Sequence, residues 1–267
     1  MYSYLKAVRE KKPLVHHLTN WVTIYDCAQV VKSFGASPVM AHAPEEVADM
    51  AGMASALVLN IGTLTTEFVE SMKIAARAAN AHGIPVVLDV CGAGATPFRD
   101  HKSFELMKEA RVDIIKGNAS EIARIAGRDV RTRGVDAAAV REDLADIARL
   151  LAKERECVAV ITGKEDIVAD PASLFLIRNG DEMMGHLVGT GCMAASVIGT
   201  FAGASPGGLA AAAAAGLACY EIAAELAVKG CAGPASFKER LLDRVFHLTE
   251  EEVSSMQKVT AEGAAAR

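Results

Sequence analysis

Short apolar runs that stop at a polar residue or a glycine, each followed by a helical pattern or a glycine-rich turn, recur along this chain. They cover residues 56–60, 85–88, 112–115 and 157–161. Strand, turn and helix in repeated alternation are typical of a parallel sheet with helices packed against it. The sequence therefore predicts an α/β fold with a mainly parallel central sheet and helices on both faces.

The later part of the chain departs from this alternation. Two further apolar runs, 166–169 and 174–177, are joined by a short turn, which predicts a hairpin at the edge of the sheet. Helical stretches follow a glycine-rich turn at Gly189. No low-complexity linker divides the chain, so we expect residues 1–267 to form one domain, with a disordered polar tail from Glu250 onward.

The composition indicates which residues build the hydrophobic core and which binding partners are excluded. Hydrophobic residues make up 51% of the 267-residue chain and aromatic residues only 5%, so the core must be built from Ala, Val, Leu, Ile and Met. The net charge of -5 and the lack of a Lys/Arg cluster argue against a nucleic-acid partner. The apolar stretch 209–228 carries Glu221 and Glu225, so we expect a buried helix rather than a membrane span.

The cysteines indicate the redox compartment. There are six, scattered without a CxxC pair. That pattern favours reduced thiols over a disulfide framework or a zinc site. The first twelve residues are charged and mixed, unlike a secretory signal. We therefore expect a cytoplasmic protein.

A glycine-rich turn, GTGC at residues 189–192, runs directly into an apolar helical stretch. Gly189 and Gly191 permit backbone conformations closed to other residues, so the amides of the turn can converge at the positive end of the helix and bind a phosphate. Cys192 would stand on the first helical turn, where the same field lowers a thiol pKa and makes the thiolate a possible base. An ordinary helix start with a buried structural cysteine fits the same residues.

Polar residues follow the predicted strands, and in a parallel sheet these carboxyl ends form the usual ligand site. The candidates are Asn60, Gly62, Thr63, Asp89, Gly92, Gly94, Lys116, Asn118, Glu121, Thr162 and Gly163. Asp89 and Glu121 together could hold a hydrated Mg²⁺ against phosphate oxygens. Glu121 is also spaced to complete a capping box with Asn118, which needs no ligand. Adjacent His16 and His17 face opposite sides of a strand, so we expect at most a contact of one of them with a substrate loop.

Taken together, several segments resemble the hydroxyethylthiazole kinase family of the ribokinase-like superfamily. The similar segments are 15–20 (VHHLTN), 35–41 (GASPVMA), 45–50 (EEVADM), 57–64 (LVLNIGTL), 88–99 (LDVCGAGATPFR), 115–122 (IKGNASEI), 161–163 (ITG) and 189–192 (GTGC). They occur in order over nearly the whole chain. GASPVM and LNIGTL are specific to this kinase rather than to the superfamily.

The resemblance implies a ribokinase-like fold and phosphorylation of the hydroxyethyl group of 4-methyl-5-(2-hydroxyethyl)thiazole in thiamin salvage, with ATP as co-substrate and Mg²⁺ as cofactor. It implies thiazole contacts at Met40, Asn20, Gly62, Thr63 and the Gly189 backbone. It implies ATP contacts at Lys116, Thr162 and Gly191, and magnesium contacts at Asp89 and Glu121. It also implies a catalytic role for Cys192, which stands where related sugar kinases carry an aspartate base. The resemblance also implies a homotrimer with the thiazole site between subunits.

The chain departs from the family pattern at a few positions. This chain has Val90 where the family has Pro, Cys91 where it has Val, and Thr190 where it has Ala. It has Lys116 where the family often has Arg, and Tyr25 and Gln29 where the family usually has Asn. At position 116 a point charge replaces a forked guanidinium. Three other functions stay open: a hydroxymethylpyrimidine kinase, a cysteine hydrolase with Cys192 as nucleophile, and a nucleotide sensor without chemistry.

Overall fold

The computed structural model describes residues 1–128 and 137–263. The helices are α1 (Tyr2–Lys11), α2 (Ile24–Ser33), α3 (Val47–Met53), α4 (Thr66–Ala81), α5 (Pro97–Glu109), α6 (Ala119–Ile125), α7 (Ala137–Arg155), α8 (Thr190–Gly203), α9 (Leu209–Ala227), α10 (Pro234–His247) and α11 (Glu250–Met256), with a 3-10 turn at Glu182–His186. The strands are β1 (Leu14–Leu18), β2 (Ser37–Val39), β3 (Ala56–Asn60), β4 (Val86–Asp89), β5 (Ile114–Asn118), β6 (Val158–Thr162), β7 (Asp166–Ala169), β8 (Ser173–Ile177) and β9 (Val259–Gly263).

All of these strands belong to one sheet with the order β2-β1-β3-β4-β5-β6-β7-β8-β9. The strands from β1 to β6 pair in parallel, and β7, β8 and β9 continue the sheet in antiparallel fashion. Each of the four apolar runs predicted as parallel strands overlaps one of them. The predicted α/β class with a mainly parallel sheet is therefore confirmed.

The end of the chain differs from the expectation of a disordered tail. From Glu250 it forms α11, started by a capping box of Thr249 and Glu252, and then β9. The ladder between β9 and β8 orders this strand. The predicted hairpin is present as β7 and β8. However, β9 pairs with β8, so the hairpin is not the edge of the sheet. Residues 264–267 of the expected tail lie outside the described residues, and a single domain for 1–267 stays a prediction.

Successive strand residues point to opposite faces of the sheet, so each face builds its own core. Val58 and Val87 belong to the core that includes α8 and α9, whereas Leu57 and Leu88 belong to the core with α4 and α7. Helix α8 lies very close to the sheet, because a Cβ built on Gly199 would be 2.3 Å from Cγ2 of Val58. The predicted helices on both faces are confirmed.

Helix α9 is the apolar stretch that the sequence predicts as a buried helix. Its length and composition would suffice to cross a membrane, but 78% of the apolar window is buried inside the protein. Its Glu221 lies near Asp166, and burial raises the pKa of both carboxyl groups. Asp166 also accepts the backbone N–H of Gly163 at 2.9 Å, so the pair supports the turn that follows β6.

We expect Glu221→Gln to change how stability depends on pH. The ordinary pKa of a glutamate is 4.5, and that of Glu221 is well above it in the folded state. Above the ordinary value only the unfolded chain releases this proton, so the free energy of unfolding falls as pH rises. The fall is at most about 1.4 kcal/mol per pH unit for one proton. Glutamine keeps the size of this side chain but does not titrate.

Denaturant titrations between about pH 5 and pH 8 test this expectation. Wild type should lose stability relative to Glu221→Gln as pH rises across this window. Glu239→Gln, an exposed change of the same chemistry on α10, should follow wild type. Parallel pH profiles for wild type and Glu221→Gln would contradict a buried proton at Glu221.

Candidate active site

The candidate site lies at the N-terminus of α8, where the chain turns at Gly189. This residue has a φ of 95°, a left-handed conformation that favours glycine, and a Cβ built on it would lie 2.5 Å from Cγ2 of Thr23. The first backbone N–H groups of a helix have no acceptor within the helix. The amides of residues 190–192 can therefore bind an anion.

Cys192 lies in the first turn of α8 and accepts a hydrogen bond from Asn20. The Nδ2 atom of Asn20 is 3.2 Å from its Sγ, and the nearby Cys91 and Thr23 side chains also favour its thiolate. The interaction with Cys91, followed by that with Thr23 and the charge of Lys116, lowers the pKa of Cys192 to about 5, although burial opposes the change. A lowered pKa was expected from the helix field, but the largest cause is a neighbouring thiol.

Three polar side chains stand side by side, two at the carboxyl ends of β3 and β4 and one in the middle of β5. Asn60 is in register with Asp89, and Asp89 with Lys116. Each lies two residues after a strand residue that faces the α8 side of the sheet, so all three point toward α8. Sequence analysis placed these residues at strand ends, and the register brings them into one row.

Asp89 is the centre of this row and is buried. Asn60 Nδ2 donates to its Oδ2 at 2.8 Å, and Lys116 Nζ lies 3.3 Å from the same oxygen. Burial raises the pKa of Asp89 to about 7, against the opposing charge of Lys116. Among the described residues its other oxygen, Oδ1, has no hydrogen-bond partner. A buried carboxylate oxygen without a partner is suited to a ligand that brings positive charge.

The expected ATP contacts, Lys116, Thr162 and Gly191, come from three elements of the fold. A Cβ built on Gly191 would lie 3.3 Å from Lys116 Nζ, so the ammonium group lies against the start of α8. Thr162 ends β6 beside Asn118 of β5, and its Oγ1 donates to the Gly117 carbonyl at 3.4 Å. A buried cation, a hydroxyl group and helix amides thus occupy the same end of the sheet, a combination suited to phosphate.

Asn20, Gly62 and Thr63, three of the expected thiazole contacts, lie on the β1 and β3 side of this site. Asn60 Oδ1 accepts from Asn20 Nδ2 at 3.0 Å and from the Gly62 amide at 2.9 Å. Thr63 Oγ1 accepts the backbone N–H of Trp21 at 3.0 Å. These bonds tie the turn after β3 to the turn after β1 and place both beside Cys192.

Met40, another expected contact with the thiazole, lies farther out. It follows the edge strand β2, which β1 separates from β3, and its side chain is half-buried. His16 Nε2 is 2.8 Å from the Ala41 carbonyl in the same segment, while His17 Nδ1 contacts Val15 O at 3.0 Å. One of the two histidines thus contacts the predicted substrate loop. Met40 lies at the rim of the site.

Glu121 forms the capping box that its spacing predicts. Its Oε2 accepts the Asn118 amide and its Oε1 accepts the Gly92 amide, each at 2.7 Å. The capping interpretation is confirmed, and the free lone pairs of a carboxylate leave room for a further ligand. Within the described ranges no group of three or more His, Cys, Asp or Glu side chains is arranged for a metal. Mg²⁺ commonly needs only one or two carboxylates plus phosphate oxygens, so Asp89 and Glu121 fit that ion.

Three neighbours of the site received no role from the sequence. Arg99 donates to the carbonyls of Ile61 at 2.8 Å, Gly62 at 2.7 Å and Cys91 at 3.1 Å, and so joins the turns after β3 and β4. Cys91 and Thr23 both help to lower the pKa of Cys192. Cys91 and Arg99 belong to the glycine-rich segment after β4, and that segment could have marked both as site residues. Nothing in the local sequence marks Thr23 as a site residue.

Comparisons with known proteins agree with this geometry. A model of the hydroxyethylthiazole kinase family matches residues 5–251. A hydroxyethylthiazole kinase of Methanosarcina mazei is 55% identical over 259 residues, which cover 97% of this chain and 99% of that protein. The solved structure of a hydroxyethylthiazole kinase protein from Pyrococcus horikoshii has a TM-score of 0.89 at 37% identity and covers 97% of this chain and 98% of that chain.

A more distant structure is similar in fold alone. A ribokinase-like superfamily protein from Enterococcus faecalis has a TM-score of 0.61 at 12% identity, with 91% of this chain and 88% of that chain covered. The predicted ribokinase-like fold is confirmed. Because the family model and the relatives each span more than nine-tenths of the chain, this protein belongs to the hydroxyethylthiazole kinase family.

Proposed function

We propose that this protein transfers the terminal phosphoryl group of ATP to the hydroxyl group of 4-methyl-5-(2-hydroxyethyl)thiazole, a step of thiamin salvage. The observation that carries the proposal is the arrangement of Cys192, Lys116 and Asp89 around the N-terminus of α8. Phosphoryl transfer to an alcohol needs a proton acceptor next to a site that neutralises phosphate charge. The relatives named for this activity support the choice of alcohol.

Cys192 is the proton acceptor in this mechanism. With a pKa of about 5, its thiol is ionised at neutral pH, and its Sγ takes the hydroxyl proton as the alcohol oxygen attacks phosphorus. The amides of residues 190–192 and the Lys116 ammonium stabilise the charge on the transferred group. Positioning and charge neutralisation supply most of the acceleration in such reactions.

The two substrates occupy opposite sides of Cys192 in this proposal. The thiazole lies among Asn20, Gly62, Thr63 and the Gly189 backbone, with Met40 at the rim. ATP places its phosphates against Lys116, Thr162 and Gly191. The hydrogen bonds around Asn60 support the first placement, and the contact of the Lys116 ammonium with the start of α8 supports the second.

Mg²⁺ would be held by Asp89 and Glu121 and, when bound, would neutralise charge on the ATP phosphates. Lys116 and Asn60 both engage Oδ2 of Asp89. Oδ1 is therefore the oxygen that this side chain can offer to a cation.

The deciding experiment measures ADP formed from ATP and Mg²⁺ with the thiazole alcohol, with 4-amino-5-hydroxymethyl-2-methylpyrimidine, and with neither alcohol. We expect ADP with the thiazole alcohol alone. ADP with only the pyrimidine alcohol would assign a different kinase activity. ATP binding without ADP in every mixture would assign a sensor.

The hydrolase alternative lacks a partner for its nucleophile. Among the described residues the hydrogen bond to the Cys192 sulfur comes from Asn20, and none comes from a histidine. His186, the nearest histidine in sequence, is exposed on the 3-10 turn. A cysteine nucleophile is normally activated by an adjacent base.

We also propose a cytoplasmic homotrimer in which a neighbouring subunit completes the thiazole site. Large apolar side chains are exposed beside that site: Trp21 is 47% exposed, Val22 67%, Tyr25 72% and Val188 71%. Exposed apolar patches of this kind mark protein interfaces. All six cysteines are free, as is usual in the cytoplasm.

Val22→Asp should therefore release subunits and lower activity together. Light scattering should show a smaller particle, and turnover of the thiazole alcohol should fall while ATP binding persists, because the ATP contacts lie within one subunit. Phe246→Asp is the matched control, since Phe246 is 63% exposed on α10. A monomeric Val22→Asp variant with wild-type turnover would remove the shared site.

A further inference from the structure

Arg99, in the first turn of α5, donates to backbone carbonyls of two different turns of the site. Its Nη2 donates to Gly62 O at 2.7 Å, and its Nη1 donates to Ile61 O at 2.8 Å and to Cys91 O at 3.1 Å. The guanidinium group also packs tightly against the turn after β4, because a Cβ built on Gly92 would lie 3.0 Å from Nη1. One half-buried side chain therefore fixes the turn after β3 relative to the turn after β4.

The turn after β3 connects Arg99 to Asn60 and, through Asn60, to Asp89. The peptide group between Ile61 and Gly62 accepts from Arg99 at its carbonyl, and its N–H donates to Asn60 Oδ1 at 2.9 Å. Asn60 Nδ2 in turn donates to Asp89 Oδ2 at 2.8 Å. Because hydrogen bonds in a chain polarise one another, the bond from Arg99 strengthens the hold of this turn on Asn60.

The turn after β4 connects Arg99 to Glu121 in the same manner. The peptide group between Cys91 and Gly92 accepts from Arg99 at its carbonyl, and its N–H donates to Glu121 Oε1 at 2.7 Å. Two peptide groups, one in each turn, therefore lie between the guanidinium group and polar side chains of the site. Loss of the guanidinium group would release both peptide groups at once.

We propose that Arg99 is a positioning residue of the reaction, which keeps the thiazole side of the site aligned with the carboxylates on its phosphate side. The inference rests on the proposed function, in which Gly62 contacts the thiazole and Glu121 serves Mg²⁺. In-line phosphoryl transfer needs the attacking oxygen opposite the leaving oxygen, and a misplacement of about 1 Å can lower the rate by about 10²-fold. Arg99 acts on this alignment through the two peptide groups and not by contact with a substrate.

Arg99→Lys tests the proposal, because it keeps the charge but replaces a planar fork of donors with a compact ammonium group. At saturating ATP, turnover of the thiazole alcohol should fall by on the order of 10²-fold. The KM for the thiazole alcohol and the Mg²⁺ concentration needed for half-maximal rate should both rise, since one residue supports both turns. Arg77→Lys is the matched control, because Arg77 of α4 pairs with Glu109 of α5 at the surface and should behave like wild type when changed.

Two outcomes of these assays would overturn the proposal. One is a set of constants like those of wild type, or a rise in only one of the two. The other is a lower midpoint of thermal unfolding with unchanged turnover per folded molecule, which would make the role of Arg99 purely structural.

Hydrogen exchange tests the same coupling without any reaction. Measured by mass spectrometry, the segments that contain the Gly62 and Gly92 amides should exchange faster in Arg99→Lys than in wild type, because both peptide groups lose their donor. Arg77→Lys should show wild-type exchange, and unchanged exchange at either segment of Arg99→Lys would overturn the proposal. If wild type forms no ADP the proposed function fails, and exchange at these two amides still decides whether Arg99 positions both turns.

Discussion

Cys192→Ala should lower turnover by about 10²- to 10⁴-fold, the usual contribution of a general base. Affinity for ATP should change little, because the anion site consists of the amides of residues 190–192 and the Lys116 ammonium, which the substitution leaves in place. Steady-state turnover with the thiazole alcohol and calorimetric binding of ATP measure the two effects separately. A rate like that of wild type would remove the role of Cys192 as a base.

Cys192→Asp is the matched variant for this prediction. A carboxylate at the same helix start can accept the hydroxyl proton, so this variant should stay active, whereas a hydrolase that attacks through sulfur could not tolerate the change. Turnover of both variants should be measured from about pH 6 to pH 9, because a base with a different pKa shifts the dependence of turnover on pH. An inactive Cys192→Asp that still binds ATP would count against proton transfer at this position.

Asp89→Asn should lower turnover by about 10²- to 10³-fold and raise the Mg²⁺ concentration needed for half-maximal rate. The estimate corresponds to the several kcal/mol that a metal ion supplies to phosphoryl transfer. Asparagine keeps the shape of the side chain and an acceptor for Asn60, but it removes the charge beside Lys116. Affinity for the thiazole alcohol should persist, because Asp89 lies on the Lys116 side of the site.

The pH profile gives this prediction a second measurement. Since the pKa of Asp89 is raised to about 7 by burial, wild-type turnover should fall as pH drops below 7 and the carboxylate takes up a proton. Asparagine resembles the protonated form at every pH, so the variant should lack this acid limb. A variant that binds the alcohol as poorly as it turns over would make Asp89 a substrate contact instead.

Many of the bounds in this fold follow from local patterns. The run 56–60 is strand β3, and the side chain of Thr65 caps the helix α4 that follows it. Asn118 and Glu121 form the capping box that their spacing of three predicts. In each case the signal and the structure that it specifies lie within one or two turns of chain. The same holds for the Gly189 turn at the start of α8.

The sequence could not determine the fate of the last residues. Residues 259–263 (VTAEG) contain a single large apolar side chain and are mostly exposed, so composition alone suggests disorder. They form β9 because β8 offers an open edge of backbone donors and acceptors. A pairing partner more than 80 residues away leaves no mark on local composition.

By itself the sequence determined the α/β class, the family and the strand ends that carry polar residues, because periodicity and turn chemistry are local. Only the tertiary structure decided that Asn60, Asp89 and Lys116 share one row, and that Asn20 contacts Cys192. Asn20 and Cys192 are 172 positions apart. Strand register and the placement of α8 against the sheet bring such residues together, and both are set by packing across the whole core rather than by any short segment.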